Sequence, residues 1–336
     1  MPGESWWNPY RFVPVRKEAV QRRAPWSHGR FTGLMGSIEC WLQALTPLVV
    51  GQKQFIRRAG VPCIPGTSLK GVIRSTCELV GNGCASIGRD IDDAHKPCYT
   101  RNRLCITCRM FGFLKKEQCY EGNVSFSDAV LVSSKNPVNR WQREQILLSS
   151  PKPRHKAFYS SKDMRKIYHH QPGKARISNV PSNMRNRGMI RTVETAPPGS
   201  VFSFDVQFQN LSAEKFSLLL YALVLEKGMA HKIGGARPLG AGSSVITIEK
   251  IVYNDAAKRY AGEPDKVLTG AELESFVAEQ TRSLREDKCE TMEALRVLMR
   301  YDPHSKKVFR YPDWRWFKDN PTRQLLSWRE YANSRD

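Results

Sequence analysis

The chain has 336 residues, enough for one elaborated domain or two modest ones with a substantial buried core. It carries 53 Lys and Arg residues against 32 Asp and Glu, which gives a net charge of +21 and a pI near 9.8. Positive charge in this excess favours a polyanionic partner, with nucleic acid as the first candidate. A basic surface that serves solubility alone is the less favoured alternative, because unneutralised like charges repel one another.

No apolar run approaches the roughly 18 residues that a membrane-spanning helix requires, and residues 1–14 contain aromatics and prolines where a secretory signal would place an apolar stretch. We therefore expect a cytoplasmic protein of a prokaryote with no membrane partner. Nine cysteines in such a chain argue against a disulfide framework, and four of them lie between residues 84 and 108. Metal binding explains that density better.

The first regular elements are a strand and a helix. Partial alternation of apolar residues predicts a half-buried strand in residues 36–50, which Pro47 should end. Residues 64–81 then predict a turn and a helix capped by Thr67 or Ser68. The apolar face of this helix is expected to contain Leu69, Val72, Ile73, Cys77 and Val80.

Lys70 and Arg74 share one edge of this predicted helix near its start. Free amide groups and two cations would meet there, an arrangement that can receive a phosphate. An ordinary solvated basic edge explains the same residues equally well.

The middle of the chain interrupts this pattern. Residues 84–119 are charged and rich in cysteine, which predicts an insertion in a sheet protein, and a strand is expected to resume in residues 123–132. Residues 133–200 are rich in Lys, Arg, Pro and Asn and poor in apolar residues. We expect a projecting hairpin, or a loop that orders on binding, and name residues 133–200 the thumb region.

The pattern then repeats. A strand is predicted in residues 201–210, a helix follows with Ser212 as its cap, and a glycine-rich stretch in residues 228–243 leads into a last strand. That strand should place on one face Val245, Thr247, Glu249 and Ile251. Two strand–helix–strand units in succession predict an α+β ferredoxin-like fold. Residues 255–336 follow the main domain, residues 1–254, and are expected to form a helical C-terminal extension with short amphipathic helices near residues 271–285 and 289–300. We expect this extension to pack on a neighbour or on the core.

The cysteine-rich insertion contains the run C-x13-C-x6-C-x2-C formed by Cys84, Cys98, Cys105 and Cys108. Thiolates at this density in a reducing compartment predict a tetrahedral structural zinc site, with the Cys105-x-x-Cys108 pair as its strongest part. The fourth ligand is the open question, since three further residues could compete for it: Cys77, His95 and Cys119. Buried free thiols without metal are the alternative; a redox pair is less favoured, because no thioredoxin-like strand precedes it.

Successive phrases of the chain resemble signatures of the RAMP superfamily, in the same order. They are NPYRFVPV, IECWLQALTPLVVG, IPGTSLKGVIRS, CITCRMFG with GNVSFSDA, APPGSVFSFDVQFQNL and GGARPLGAG, which together span most of residues 8–251. Each phrase alone is weak, but six in sequence are specific. The resemblance does not extend to the residues after Asn254.

The resemblance implies a backbone-type or end-capping subunit of a type III CRISPR effector complex, with a modified RNA-recognition fold that grips guide RNA. Neighbouring RAMP and effector subunits and a complementary target RNA would be its other partners, and the thumb would enter the guide–target duplex. Lys70 and Arg74 match family positions that approach guide phosphates. Lys232 and Arg237 lie in the matching glycine-rich loop, where missing Cβ atoms would let RNA approach the backbone.

In target-cleaving members of the family, an aspartate lies in the loop between the first strand and the following IPG turn. The corresponding residues 46–63 contain no Asp or Glu, and instead offer Lys53, Arg57 and Arg58, which can bind phosphate but not a metal ion. We therefore expect binding without cleavage. If the chain does cleave with Mg²⁺ or Mn²⁺, the weak candidates are the acids of the insertion: Asp90, Asp92 and Asp93.

Two other functions remain open. Metal-independent maturation of guide RNA would use general acid–base groups, for which the candidates in the thumb region are His155, Lys156, Tyr159, His169 and His170. Histidines there would serve equally well as RNA contacts, so His155 and Lys156 also count as binding candidates. A general single-strand RNA binder that stacks bases on its eight tryptophans is the third possibility.

Overall fold

Antiparallel strands form the centre of the protein in its computed structural model, which describes residues 8–85, 93–134, 142–147, 164–171, 190–305, 307, 309, 311–312 and 314–333. The sheet contains β2 (Leu34–Ala44), β3 (Arg57–Arg58), β4 (Val61–Ile64), β7 (Val124–Phe126), β8 (Ala129–Ser134), β12 (Ser200–Leu211), β13 (His231–Lys232), β14 (Ser243–Asp255) and β15 (Lys266–Thr269). Its order is β13-β14-β2-β12-β8-β4-β3, with β7 paired to β12 and β15 to β14.

The described residues also form helices and shorter strands. The helices are α1 (Gly66–Val80), α2 (Ile106–Phe111), α3 (Ala213–Val224), α4 (Ala256–Tyr260), α5 (Gly270–Glu286), α6 (Glu290–Leu298), α7 (Trp314–Asp319) and α8 (Trp328–Asn333). The remaining strands are β1 (Tyr10–Pro14), β5 (Phe113–Lys115), β6 (Gln118–Tyr120), β9 (Gln142–Leu147), β10 (Met164–Tyr168) and β11 (Ile190–Thr195). None of the helices within these ranges combines the length and apolar character of a membrane span.

The chain runs through β2, α1, β7 with β8, β12, α3 and β14, and the central strand order is β14-β2-β12-β8. This is the ferredoxin-like connectivity, and the predicted mixed fold with an antiparallel sheet is confirmed. Alternate residues of β2 and β12 are buried, because successive side chains of a strand point to opposite faces. The core contains Ile38, Leu42, Phe202 and Phe204 from the sheet and Leu69, Ile73, Leu219 and Leu223 from α1 and α3.

The last core strand, β14, departs from simple alternation. Its register with β2 shifts between Ile248 and Lys250, so that Glu249 is the extra residue of a bulge. Ile246 before the bulge and Ile251 after it are both buried. The prediction that Val245 and Thr247 share a face with Ile251 is therefore wrong, because the bulge reverses the phase of alternation.

The thumb region holds more than one strand pair. β9 pairs with β11 as a two-stranded antiparallel unit, whereas β10 pairs with β1, Tyr10 facing Tyr168. Residues 135–141, 148–163 and 172–189 of this region lie outside the described residues. β9 and β11 are thus paired across an intervening strand, β10, which pairs instead with β1.

The C-terminal extension is integrated into the fold. β14 runs through the boundary predicted after Asn254, and β15 pairs with it antiparallel. In α6, the Thr291 hydroxyl donates to the carbonyl of Pro14 at 2.9 Å. Tyr331 of α8 lies over the Arg11 guanidinium, 5.2 Å from ring centroid to Cζ. The tail therefore packs on β1 of the main domain.

Helix α1 begins one residue before the cap that the sequence predicts. Gly66 is its first residue, and the carboxylate of Asp128, between β7 and β8, accepts the Gly66 amide at 2.8 Å. The other carboxylate oxygen accepts from Arg58 Nε at 2.9 Å. These bonds hold the pKa of Asp128 below its usual range, chiefly through the Gly66 amide and then through Arg58. Thr67 and Ser68 lie inside the first turn instead of capping it.

We predict that Asp128→Ala lowers the free energy of unfolding by about 1 kcal/mol, the usual cost of a lost helix cap, or roughly 2 °C in melting temperature. Arg58→Ala is the control: it removes only an ion pair whose arginine side chain is 71% exposed, which should cost less than about 0.5 kcal/mol. Because the pKa is depressed in the folded state, this stabilisation is present above pH of about 4 and is lost as pH falls further. Equal melting temperatures for Asp128→Ala and wild type at neutral pH would contradict the capping role.

Candidate nucleic-acid interface and metal centre

Four buried cysteines converge beside the end of α1. The Sγ atoms of Cys84, Cys98, Cys105 and Cys108 all lie within 4.8 Å of one another, and those of Cys84 and Cys108 are 3.6 Å apart. A tetrahedral ion with metal–sulfur bonds of about 2.3 Å requires sulfur atoms about 3.8 Å apart. The four cysteines can therefore hold a metal ion, as the sequence predicts.

The backbone is arranged to support thiolates at this cluster. Cys105 caps α2, and its Sγ accepts the amides of Cys108 at 3.5 Å and Cys84 at 3.4 Å. The Cys105 amide donates in turn to Cys98 Sγ at 3.2 Å. Amide groups directed at sulfur favour the ionised thiol that a metal requires.

The competing ligands of the sequence analysis lie elsewhere. Cys77 is buried in the main core, with its thiol 3.9 Å from the Leu218 carbonyl, and Cys119 is exposed on β6. His95 is buried but does not belong to the sulfur cluster, and neither ring nitrogen has a hydrogen-bond partner among the described residues. Cys84 is thus the fourth member of the cluster.

Arg74 connects the cluster to α1. Its guanidinium donates to Cys108 Sγ at 3.6 Å, to the Gly112 carbonyl at 3.2 Å and to Glu78 Oε1 at 3.1 Å. Arg165 of β10 forms an ion pair with the other Glu78 oxygen and lies 3.5 Å from the Cys84 carbonyl. Two arginines therefore join the buried Glu78 carboxylate to the cysteine cluster.

A cleft of about 810 Å³ lies between α1, β10 and the glycine-rich loop before β14. One helical face of α1 lines it with small, mainly hydroxyl-bearing residues and two apolar ones: Thr67, Ser68, Gly71, Val72, Ser75, Thr76 and Leu79. Four cations line other walls: Arg165, Lys166, Lys232 and Arg237. A polar helix face opposite cations and aromatic rings suits a sugar–phosphate backbone.

Aromatic rings accompany the cations of this cleft. Arg237 Cζ lies 4.9 Å from the ring centroid of Tyr168, and Lys166 Nζ lies 3.6 Å from that of Tyr10. His170 holds the end of β10 in place, since Nδ1 lies 2.8 Å from the Ser243 hydroxyl and Nε2 lies 3.1 Å from the Ala230 carbonyl. Burial keeps the pKa of His170 well below its usual range, so the ring is neutral and Nε2 donates.

Lys232 is the least solvated cation of the cleft. Its ammonium donates to the carbonyls of Gly240 at 3.1 Å and Ala241 at 3.0 Å. Burial, and to a smaller extent the charge of Arg237, lowers the pKa of Lys232 to about 7. Lys232 therefore ties the glycine-rich loop together as well as charging the cleft.

The glycine-rich loop packs closely against the backbone of a neighbouring segment. Gly234 has φ of +80°, and an added Cβ would lie 2.3 Å from the Val49 carbonyl oxygen. Its missing side chain is therefore required by the neighbouring backbone, a reason different from the RNA approach that the family resemblance implies.

The predicted cations of α1 lie outside the cleft. Arg74 is committed to Glu78 and the cysteine cluster, and Lys70 shares its edge of the helix. Burial, and then the charge of Arg74, lowers the pKa of Lys70. The structure thus brings Lys232 and Arg237 together at the cleft and separates Lys70 and Arg74 from them.

The loop arginines are paired with carboxylates from distant strands. Arg57 makes a double ion pair with Glu194 of β11, at 2.6 and 2.9 Å, and Glu194 also accepts the Phe55 amide at 2.8 Å. Arg58 pairs with Asp128. The loop of residues 46–63 has no acid of its own, but the carboxylates of Glu194 and Asp128 contact it. Each of these two carboxylates is neutralised by an arginine.

The catalytic candidates are dispersed. Asp93 is exposed and paired with Lys96, whereas Asp90, Asp92, His155, Lys156 and Tyr159 lie outside the described residues. His169 is buried and stacks on Phe309 with centroids 4.2 Å apart. Its place in the aromatic packing under the C-terminal tail gives it no access to the cleft lining.

Lys166 and Tyr168 are cleft residues that the sequence analysis missed. They belong to β10, inside the basic stretch assigned to the thumb region. Residues 164–168 show no period-2 alternation, and nothing in the sequence shows that this short strand pairs with β1.

Comparison with known proteins identifies the family of the chain. A model of the RAMP superfamily matches residues 41–245, which include α1, β12, α3 and the glycine-rich loop. The chain belongs to the RAMP superfamily. Among solved structures, a Csm3–Csm4 subcomplex in the type III-A CRISPR-Cas interference complex is similar to this RAMP protein at 17% identity, with a TM-score of 0.39. The similarity covers 77% of this chain and 99% of that chain. No curated protein matches.

We predict that the purified chain binds one divalent metal ion and that Co²⁺ produces the intense thiolate-to-metal absorption of a four-sulfur site. Cys108→Ser should abolish that absorption and destabilise the insertion, because metal binding contributes directly to its folding. Cys119→Ser is the matched control, since this exposed thiol lies outside the cluster. Wild-type metal content in Cys108→Ser, measured by atomic emission, would contradict the assignment.

Proposed function

We propose that this RAMP protein is a guide-RNA-binding subunit of a type III CRISPR effector complex. The observation that carries the proposal is the cleft between α1, β10 and the glycine-rich loop, where Lys166, Lys232 and Arg237 face a polar helix surface. Such a cleft can hold a sugar–phosphate backbone without reading its sequence, which base pairing to a target would supply. Complementary target RNA and neighbouring RAMP subunits are the further partners in this proposal.

We propose zinc as the metal of the cysteine cluster, since four thiolates in tetrahedral arrangement suit this ion. With all four positions taken by sulfur, zinc would stabilise the insertion and would leave no position for a reactive water. The proposed role is structural, in a segment whose charged composition provides little core of its own.

We further propose that this subunit binds target RNA without cleaving it. Residues 46–63 supply no acid, and the two carboxylates that approach this loop, Glu194 and Asp128, are both bound to arginines. A metal-dependent reaction needs carboxylates that remain available to the ion. Maturation of guide RNA by acid–base chemistry is the alternative reaction, and of its candidates His169 is buried and His170 is held neutral by burial.

The RNA cleft is tested by reversing two of its charges, the exposed Lys166 and the half-buried Arg237. Lys166→Glu and Arg237→Glu should each weaken binding of single-stranded RNA about tenfold at low salt. Each should also reduce the slope of log Kd against log salt by about 0.7, the value for one lost phosphate contact on a single strand. Arg259→Glu is the control, because this exposed arginine of α4 carries the same charge away from the cleft. An unchanged slope in both cleft variants, measured by fluorescence anisotropy, would refute the RNA-binding role of the cleft.

Cleavage is tested on the assembled, guide-loaded complex with labelled complementary RNA. We expect no cut that depends on Asp90, Asp92 or Asp93, in Mg²⁺ or in Mn²⁺. Loss of a specific cut in one of these variants, together with inhibition by EDTA, would establish a relocated metal-dependent site. A cut that survives EDTA and disappears in His155→Ala or His169→Ala would instead establish guide maturation.

A further inference from the structure

The buried carboxylate of Glu78 occupies a position that is unfavourable for an acid on two counts. It lies in the last turn of α1, where the helix dipole disfavours negative charge, and its side chain is only 1% exposed. A buried charge is retained when opposite charges and hydrogen bonds compensate its desolvation. The helix dipole alone would favour a neutral or basic side chain here.

Two arginines from different elements supply that compensation. Arg74 comes from the preceding turn of α1, and Arg165 comes from β10, 87 residues further along the chain than Glu78. Both arginines also contact the cysteine cluster, Arg74 at Cys108 Sγ and Arg165 at the Cys84 carbonyl. The same three side chains thus connect the cluster, the end of α1 and β10.

Charge balance explains why cations surround the cluster. A divalent ion held by four thiolates leaves a net charge of about −2 in a buried place. Arg74 donates directly to one of these sulfur atoms, at a distance of 3.6 Å from Cys108 Sγ. When the metal is absent, the sulfur atoms lose their shared charge and fixed geometry, and Arg74 loses an anchor.

The connection from the cysteine cluster through Glu78 ends at β10, which forms one wall of the cleft. Arg165 is itself a lining residue, and the adjacent Lys166 together with Tyr168 forms the cation–aromatic wall beside Arg237. β10 is a five-residue strand whose pairing partner in the described structure is β1. A strand this short depends on its side-chain anchors for a fixed position.

We infer that Glu78 is a positioning residue that couples metal binding at the four-cysteine cluster to the shape of the cleft, through Arg74 and Arg165. Metal binding fixes the positions of Arg74 and of the Cys84 backbone. These two groups in turn fix the ion pair between Glu78 and Arg165, and that ion pair holds β10 in its place on the cleft wall. RNA bound in the cleft must then strengthen metal binding by the same factor, because coupling between two binding sites is reciprocal. This inference rests on the proposed RNA-binding function of the cleft.

The coupling is tested with full-length protein, zinc and a short labelled single-stranded RNA. In wild type we expect RNA to bind about tenfold more weakly after zinc is removed with a chelator, within the usual range of coupling between sites. In Glu78→Gln we expect zinc-loaded protein to bind RNA as weakly as stripped wild type, with little further loss when zinc is removed. A glutamine keeps the size of the side chain and removes the charge that holds both arginines.

Glu226→Gln is the matched control. Glu226 also accepts from an arginine, Arg296, at 2.9 and 3.0 Å, and from the Tyr221 hydroxyl at 2.8 Å, but it contacts neither the cluster nor the cleft. This variant should lose stability and keep the full zinc dependence of RNA affinity. A purely structural role for Glu78 would make the two variants behave alike, which would overturn the inference.

Hydrogen exchange gives a second measurement that needs neither RNA nor stripped protein. In zinc-loaded Glu78→Gln, amides of residues 164–168 should exchange at least fivefold faster than in zinc-loaded wild type. A separate cobalt-loaded sample of the variant should keep the Co²⁺ absorption of the cluster. Wild-type exchange of these amides would overturn the coupling even if stripped protein does not fold. If wild type fails to bind RNA, the proposed function fails, and faster exchange of β10 would still establish the structural coupling.

Discussion

Helix α1 is fixed at both ends by buried interactions, and both candidate sites depend on where it lies. At its start, Gly66 packs so closely on the neighbouring turn that an added Cβ would lie 2.3 Å from the Phe126 carbonyl oxygen. At its end, Glu78 is held by arginines of two different elements. The helix is a rigid element between these points. Its small polar side chains face the cleft, and its last turn leads directly to Cys84. One element therefore sets the distance between the cleft and the four-cysteine cluster, the two candidate sites.

The large positive charge of the chain is only partly available to a ligand. Several arginines act inside the protein: Arg16 pairs with Asp287, Arg296 with Glu226, and Arg11 is buried against Tyr331, where burial lowers its pKa to about 10. Arginine suits such positions because its planar guanidinium makes several hydrogen bonds at once and stacks on aromatic rings. Net charge indicates the class of partner, whereas the surface that binds it has to be found from the geometry.

The sequence predicted the parts of the protein that depend on local pattern. Period-2 alternation in β2 and β12, the cap at Ser212 and the close spacing of Cys105 and Cys108 each have a local cause, and each appears in the structure. The long-range parts could not be predicted in this way. The cap of α1 comes from Asp128, 62 residues away from Gly66, and the strand that lines the cleft pairs with β1, at the far end of the chain.

Arg74 shows the same limit at the level of a single side chain. A cation on a helix that follows a glycine turn has the composition of a phosphate contact. On an α-helix, however, residue 74 shares a face with residues 70 and 78, and the cleft is lined by the adjacent face that contains residues 67, 68, 71 and 75. The sequence predicts which residues share a helix face, but not which part of the protein each face contacts. Here the buried Glu78 and the thiolate cluster determine the outcome.

The same reasoning explains why a metal is useful at this point of the fold. In a ferredoxin-like domain, the connection from the first helix to the second strand is usually a few residues long. Here it extends from Gly81 to Asn123, and its described part contributes to a small buried cluster the four cysteines, Leu104 and Phe113, against which Val20 from the segment before β2 packs. A connection of this length gains conformational entropy on unfolding that so small a core offsets poorly. A metal that tied Cys84, next to α1, to Cys105 and Cys108, next to the turn into β5, would close most of that loop at once. α1 and β7 would then keep the positions that the central sheet requires, whatever the length of the insertion between them.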